Sequence, residues 1–107
     1  MIIELRQYFV SPGKLPQLHE RFREQTLRNF ARHGFTPLFF GVPEIGDMSD
    51  CVVYALQFES LAHREEVWHS FHADPEWQEY KALPEDGEPV VLRFKSTILK
   101  ATDYSPQ

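Results

Sequence analysis

Five histidines are the residues of this chain that first suggest metal or acid–base chemistry. His69 and His72, three residues apart, would lie on one face of a helix, but no HxxxH pair occurs. No cysteine and carboxylate set stands at a spacing that would complete a tetrahedral or facial site beside them. We therefore predict no metal site. His63 is read most simply as an ordinary helix residue, and it becomes a candidate base or haem ligand if it faces a cleft.

Large aromatic side chains form a second group with chemical potential. They come from the predicted sheet and from the second helical region, which face each other in the predicted fold. They are either the packed core of a small domain or the lining of a cleft for a small apolar or aromatic ligand. Within a cleft, Tyr54 or His63 would be the polar, candidate catalytic group that deprotonates an activated substrate for reaction with oxygen. The candidate pocket residues are Phe39, Tyr54, Trp68, Phe71 and Trp77.

The composition excludes several broad classes of protein. With 107 residues, 42% of them apolar, the chain is long enough for one domain with a real core. A net charge of −5 with scattered basic residues argues against a nucleic-acid surface. No apolar run approaches the roughly 18 residues of a membrane span, and the charged start is not a signal peptide, so we expect a cytoplasmic protein. GxGxxG and GxSxG motifs are absent, and we expect no cofactor.

The hydrophobic periodicity of the chain alternates between the patterns of strands and helices. Pro37 suggests an edge strand, since proline cannot donate to a neighbouring strand. Ser60 and Asp74 are placed as N-caps, and Gly34 as a helix stop. The predicted elements are strand 2–10, helix 14–33, strands 35–42 and 51–59, helix 61–73, short helix 76–82, strand 90–100 and an irregular tail, 101–107.

This order of elements predicts one α+β domain over residues 1–107. It repeats a strand–helix–strand unit, and right-handed crossovers fold two such units into a ferredoxin-like βαββαβ domain. The expected sheet is four-stranded and antiparallel, in the order 4-1-3-2, with the helices on one face. The other face must then be wetted or buried against a partner.

Side-chain alternation along the strands predicts which residues occupy each face. We expect the apolar sets on the helix-covered side. The polar and apolar mixture left on the other side suits either a solvated face or packing on an identical sheet, with the charges paired across the strands. We favour a homodimer through this face, with Glu4, Arg6, Tyr8 and Arg93 in the interface. The predicted helix-side sets are Ile3, Leu5 and Phe9; Val52, Tyr54, Leu56 and Phe58; and Leu92, Phe94 and Ile98.

Three segments that together span nearly the whole chain resemble a known family. The first includes residues 3–6, Tyr8 and residues 12–14. The second runs from residues 59–65 through Trp68 and Phe71 to residues 73–77, and the third is the ending, residues 102–106. Together they resemble the NIPSNAP family.

This resemblance implies a dimeric α/β barrel, in which ferredoxin-like protomers pack through their sheets. The family has no established reaction, while its superfamily includes cofactor-independent monooxygenases, haem-degrading enzymes and dehydratases. Because a fold does not choose among functions, two classes remain open. One is a small dimeric enzyme or binder of an apolar or aromatic metabolite, and the other is a non-enzymatic scaffold or ligand-binding module.

Overall fold

A computed structural model describes residues 1–106, and its elements follow the predicted order. The sheet is antiparallel with the strand order β2-β3-β1-β4, which is the predicted 4-1-3-2 order read from the opposite edge. The α+β prediction is therefore confirmed. The elements are β1 (Ile2–Val10), α1 (Leu15–Arg21), a π-helical segment (Phe22–Thr26), α2 (Leu27–Arg32), β2 (Thr36–Gly41), β3 (Cys51–Phe58), α3 (Leu61–Ala73), α4 (Pro75–Lys81) and β4 (Val91–Lys100).

The predicted helix ends form as local sequence dictates. The Ser60 hydroxyl accepts the His63 backbone N–H at 3.0 Å, and the Asp74 carboxylate accepts the Glu76 backbone N–H at 2.8 Å. Gly34 adopts a positive φ of 77°, which lets the chain leave α2 and enter β2. These caps fix the direction of α3 and α4 over the sheet.

The face assignment of β1 was wrong. In the antiparallel register, Glu4 lies opposite Leu56, Arg6 opposite Tyr54, and Tyr8 opposite Val52. Because directly paired residues share a face, Glu4, Arg6 and Tyr8 lie on the helix-covered side and not in the predicted dimer face.

The same register moves Ile3, Leu5 and Phe9 to the uncovered side, where Leu5 remains partly exposed. Alternation alone misassigned β1 because a charged residue can be buried when hydrogen bonds satisfy it. Arg93 does lie on the uncovered side, opposite Phe9, with its guanidinium 4.3 Å from the Phe9 ring centre.

The core lies between the sheet and the helices and is rich in aromatic rings. Tyr54, Leu56 and Phe58 of β3 are fully buried as predicted, and Phe30 and Phe71 pack against them from α2 and α3. β2 and β4 are the edge strands, so Pro37 does occupy an edge as predicted. On β4, Phe94 and Ile98 point to the helix side but remain partly exposed.

Within residues 1–106, no helix combines the length and the apolar character that crossing a membrane requires. The cytoplasmic location stays a prediction.

Candidate functional site

A cavity of about 740 Å³ opens between the helix-covered side of the sheet and the helices. Three of the five predicted pocket residues, Trp68, Phe71 and Trp77, line it. Phe94 of β4 adds another ring, which the sequence placed on the helix side but did not assign to the pocket. The remaining lining residues are Arg6, Tyr8, Arg21, Thr26, Phe30, Arg64, His72, Gln78, Lys81, Val91 and Ser96.

The other predicted site residues lie elsewhere. Phe39 was wrongly placed in the pocket: it pairs with Ala55 on the uncovered side of the sheet, because the register of β2 shifts between Pro37 and Phe39. Tyr54 is fully buried below the cavity. His63 does not line the cavity; its ring packs 5.9 Å from that of Phe58, and its Nδ1 accepts the Glu59 backbone N–H.

Glu4 anchors the floor of the cleft. Its carboxylate has no solvent exposure and accepts five hydrogen bonds from side chains. Two come from Arg64 at 2.9 and 3.1 Å, and one each from Arg6 at 2.9 Å, the Trp68 indole at 2.8 Å and the Ser96 hydroxyl at 2.6 Å. This network joins β1, α3 and β4 through one carboxylate.

The ionisation of Glu4 follows from those donors. Burial alone would raise its pKa, but the hydrogen bonds from Arg64, Ser96, Trp68 and Arg6 lower the pKa to about 2. Glu4 is therefore charged throughout the physiological range, and it neutralises one of the two arginines that it contacts.

The Arg6 guanidinium lies close to two aromatic rings. Its guanidinium carbon lies 4.6 Å from the ring centres of both Trp68 and Phe94. Its Nε donates to the Tyr54 hydroxyl at 2.8 Å, and its two terminal nitrogens donate to Glu4 and Tyr8. Burial alone would lower the pKa of Arg6, but Tyr54, Tyr8 and Glu4 raise it overall, so the side chain is a fixed cation.

Tyr54 does not line the cavity, and its hydroxyl is joined to the cavity residues Arg6 and Tyr8 by hydrogen bonds. Its hydroxyl donates to the Tyr8 hydroxyl at 2.9 Å while accepting from Arg6. Burial, followed by the proximity of Tyr8, raises the pKa of Tyr54 well above its usual value. Tyr54 is thus a neutral positioning residue under Arg6, and Tyr8 is the tyrosine that lines the cavity.

His72 is an ionisable group in the cleft that the sequence did not select. Its ring stacks on the Trp68 indole, with ring centres 5.4 Å apart and planes at 18°. Partial burial and then the charge of Arg6 lower the pKa of His72 below its usual value. The neutral imidazole is therefore favoured at neutral pH, which is the form that can accept a proton.

Arg21 and Lys81 stand at another part of the cleft wall. Arg21 donates to Glu85 at 2.5 Å, yet its Nε is buried without a hydrogen-bond partner among the described residues. The Lys81 ammonium lies 6.0 Å from the Trp77 ring centre. Burial and the neighbouring charge of Arg21 lower the pKa of Lys81, and Glu85 opposes that change.

The first helix is interrupted where it borders this cleft. The sequence predicted one continuous helix over residues 14–33, but residues Phe22–Thr26 form a π turn. Arg21 precedes this turn, Thr26 closes it, and both line the cavity. π turns within helices frequently occur at functional sites, because they re-aim the flanking side chains.

The absence of a metal site stays a prediction. Within residues 1–106, no three His, Cys, Asp or Glu side chains are grouped so that they could hold a metal ion.

The solved structures that this chain resembles share its whole fold. An uncharacterised NIPSNAP domain protein from Burkholderia xenovorans superposes with a TM-score of 0.85 at 20% identity, over all of both chains. A putative antibiotic biosynthesis monooxygenase from Nitrosomonas europaea superposes with a TM-score of 0.59 at 12% identity, over 94% of this chain and 98% of the other. A mutant of MhuD with two manganese protoporphyrin IX molecules bound per active site gives 0.59 at 14% identity, over 94% of both chains. The fold is thus that of NIPSNAP proteins and of antibiotic biosynthesis monooxygenase-like proteins.

The sequence comparisons are more specific than the fold. The human protein NipSnap homolog 3A is 30% identical over 81 residues, which are 76% of this chain and 32% of the human protein. This chain therefore spans about a third of the length of the curated relatives it matches. The NIPSNAP family model matches residues 3–106, and the chain belongs to the NIPSNAP family.

Proposed function

We propose that this domain binds a small apolar or aromatic molecule in the cleft between its sheet and its helices. The observation that carries the proposal is the open volume of about 740 Å³ beside Trp68, Phe71, Trp77 and Phe94. Small-molecule sites typically enclose about 300–1,000 Å³ behind apolar walls with a few polar groups. If these rings had filled the cleft completely, the structure would instead have favoured a non-enzymatic scaffold in which the fold serves only for dimerisation.

The shape of the walls supports a planar ligand. Trp77 and Phe71 pack with ring centres 4.6 Å apart, and Phe94 remains exposed at the mouth of the cleft beside the Arg6 guanidinium. Flat aromatic groups stack favourably on such rings and on guanidinium planes. The similarity to MhuD, a protein that binds a flat macrocycle, adds support at the level of the fold.

The experiment that tests this proposal uses a neutral aromatic probe, cinnamamide, and two matched variants. Phe94 and Phe39 are exposed to nearly the same extent, 55% and 53%, but they lie on opposite faces of the sheet. Calorimetric titration should show that Phe94→Ala weakens cinnamamide binding about tenfold, whereas Phe39→Ala leaves it unchanged. Equal effects of the two substitutions, or no binding by the unaltered protein, would contradict the proposal.

His72 favours a second candidate function, a cofactor-independent oxygenase. The neutral imidazole would accept a proton from an activated aromatic methylene group. The resulting carbanion would form a C–O bond to dioxygen and, with the proton returned, give a hydroperoxide. Loss of water then leaves a ketone, so dioxygen is the oxidant and no added cofactor is required. This assignment replaces His63 and Tyr54, the bases that the sequence suggested, because neither lines the cavity.

Oxygen uptake with anthrone, an activated methylene compound, tests this candidate. His72→Gln should lower the rate at least about 100-fold, while His69→Gln, on the same helix but outside the cavity lining, should retain it. The rate of the unaltered protein should rise with pH as His72 loses its proton. Absence of uptake by the unaltered protein would leave a non-enzymatic ligand-binding module as the function of the cleft.

We also propose that the domain forms a homodimer through the uncovered face of its sheet. Leu5, Phe39 and Leu99 are exposed there and border one groove with Ile3 and Ala55. An antiparallel sheet with helices on one side only can bury such a face on a second copy of itself. The proposed interface keeps Arg93 of the residues expected from the sequence, and apolar residues take the place of the Glu4, Arg6 and Tyr8 side chains.

A native mass spectrum of the gently purified protein tests this assembly. Twice the mass of one chain is the expected result, and added small-molecule mass would at the same time identify a ligand to assay. A single-chain mass at micromolar concentration would contradict the homodimer.

A further inference from the structure

The cleft has a charge opposite to that of the whole chain. The sequence carries a net charge of −5, yet Arg6, Arg21, Arg64 and Lys81 all line this one cavity. Among the described residues that line it, none is an aspartate or a glutamate, although the buried Glu4 carboxylate contacts Arg6 and Arg64 from beneath the floor and Glu85 pairs with Arg21. A concave, partly apolar site with an excess of cations attracts anions.

The two inner cations are already committed. Arg6 directs its three nitrogens to Tyr54, Glu4 and Tyr8. Arg64 directs two nitrogens to Glu4 and the third to Glu65. Both guanidinium groups line the cleft, but their nitrogens already donate to protein acceptors. They therefore have few N–H groups left to donate to a ligand.

The two outer cations are not fully committed. Among residues 1–106, no carboxylate lies within ion-pair distance of the Lys81 ammonium, which rests near the Trp77 ring. Arg21 has an ion pair with Glu85, but its buried Nε still lacks an acceptor. Besides burial, which lowers the pKa of Lys81 most, the charge of Arg21 lowers that pKa more than Glu85 raises it, so an anion bound in the cleft beside Lys81 would be favourable.

We propose that Lys81 and the Arg21 guanidinium form a carboxylate subsite, so that the ligand of this cleft is an aromatic organic acid. The proposal rests on the proposed function, since it adds the charged end of the same ligand. The carboxylate accepts from Lys81 and Arg21, and the aromatic group lies along Trp77 and Phe71 toward Arg6. Hydrogen bonds between ionised partners are stronger than neutral ones, so this end of the cleft sets specificity.

The test compares cinnamate with cinnamamide, which differ in the charge of one group. In calorimetric titrations, the unaltered protein should bind cinnamate about tenfold more tightly than cinnamamide. Lys81→Gln should remove most of that preference, because it should weaken cinnamate binding far more than cinnamamide binding. Lys81→Arg should keep the preference, and Lys95→Gln, which removes an exposed cation from the uncovered face, should not change it.

The outcomes separate this inference from the proposed function. Equal binding of the two probes, or an unchanged preference in Lys81→Gln, would overturn the carboxylate subsite while the aromatic cleft stands. Binding of neither probe would overturn both. A preference for cinnamate that Lys95→Gln abolishes would place the anion on the other face and would also contradict the inference.

Discussion

The two sides of strand β1 reverse the usual relation between polarity and burial. On the helix-covered side, Glu4 is inaccessible to solvent and Arg6 is nearly so, whereas Leu5 on the other side is partly exposed. The difference shows that burial on this strand follows hydrogen-bond satisfaction as much as hydropathy. We propose that the polar side is the floor of a ligand cleft and that the apolar side is the surface that binds a second copy.

The polar side is expected to be the more sensitive of the two. Glu4→Gln removes the negative charge that faces Arg6 and Arg64 and leaves both cations without their buried partner. Loss of one member of a buried ion pair typically costs about 3–5 kcal/mol, so the free energy of unfolding should fall by that amount. Chemical denaturation measures it.

A matched control separates burial from charge. Glu65 also pairs with Arg64, but its side chain is exposed, so Glu65→Gln should cost less than about 1 kcal/mol. Similar losses in the two variants would refute the special role given to Glu4.

Acid should weaken the polar side specifically. The folded-state pKa of Glu4 is lowered to about 2 from an ordinary value of 4.5, so its contribution to stability is complete above about pH 4.5. That contribution is lost as the pH falls toward 2. The difference between the two pKa values corresponds to about 3 kcal/mol in the free energy of unfolding. The free energy of unfolding, measured across this pH range, should vary less steeply in Glu4→Gln. Parallel pH curves for the two proteins would be inconsistent with the assigned pKa.

The apolar side can be tested with two neighbouring residues of β4. Leu99 and Ile98 are similarly exposed, 46% and 38%, but point to the uncovered and the helix-covered side respectively. Leu99→Glu should raise the dimer dissociation constant at least about tenfold in sedimentation experiments, because it buries a charge in the proposed interface. Ile98→Glu should leave it unchanged. If both substitutions dissociate the dimer equally, the uncovered face is not the interface.

The smallest expected effect concerns the support beneath Arg6. Tyr54→Phe removes the hydroxyl that accepts from Arg6 and donates to Tyr8. A buried donor left without its acceptor should lower the free energy of unfolding by about 1–3 kcal/mol in thermal or chemical denaturation. Tyr104→Phe, at an exposed position, serves as the control and should have no measurable effect. An unaffected Tyr54→Phe protein would show that Arg6 does not depend on this hydroxyl.

Much of the fold could be predicted because it depends on local signals. The helix over residues 61–73 was predicted with its observed bounds, since Ser60 caps its start and Asp74 begins the next helix. The strand order followed from the sequence of elements and the handedness of their connections.

The site was less predictable because it depends on contacts between distant residues. Trp68, Phe71 and Trp77 could be found from their size and from the two helices that bear them. The Glu4 network joins residues up to 92 positions apart, which side-chain alternation does not reveal. The available signal was the charged pair Glu4 and Arg6 within a largely apolar strand. Arg64 and Trp68, which are four residues apart on α3, added to it.

The two tryptophan indole N–H resonances offer the most direct test of the central claim, that the polar side of the sheet forms the floor of a ligand cleft. Trp68 donates to Glu4 on that floor, and Trp77 lies in the cleft wall. During a cinnamate titration followed by NMR, both indole signals should shift, while the methyl signals of Leu5 and Leu99 stay in place. Shifts of those methyl groups with unchanged indole signals would show that the small molecule binds the apolar face, and would contradict the account.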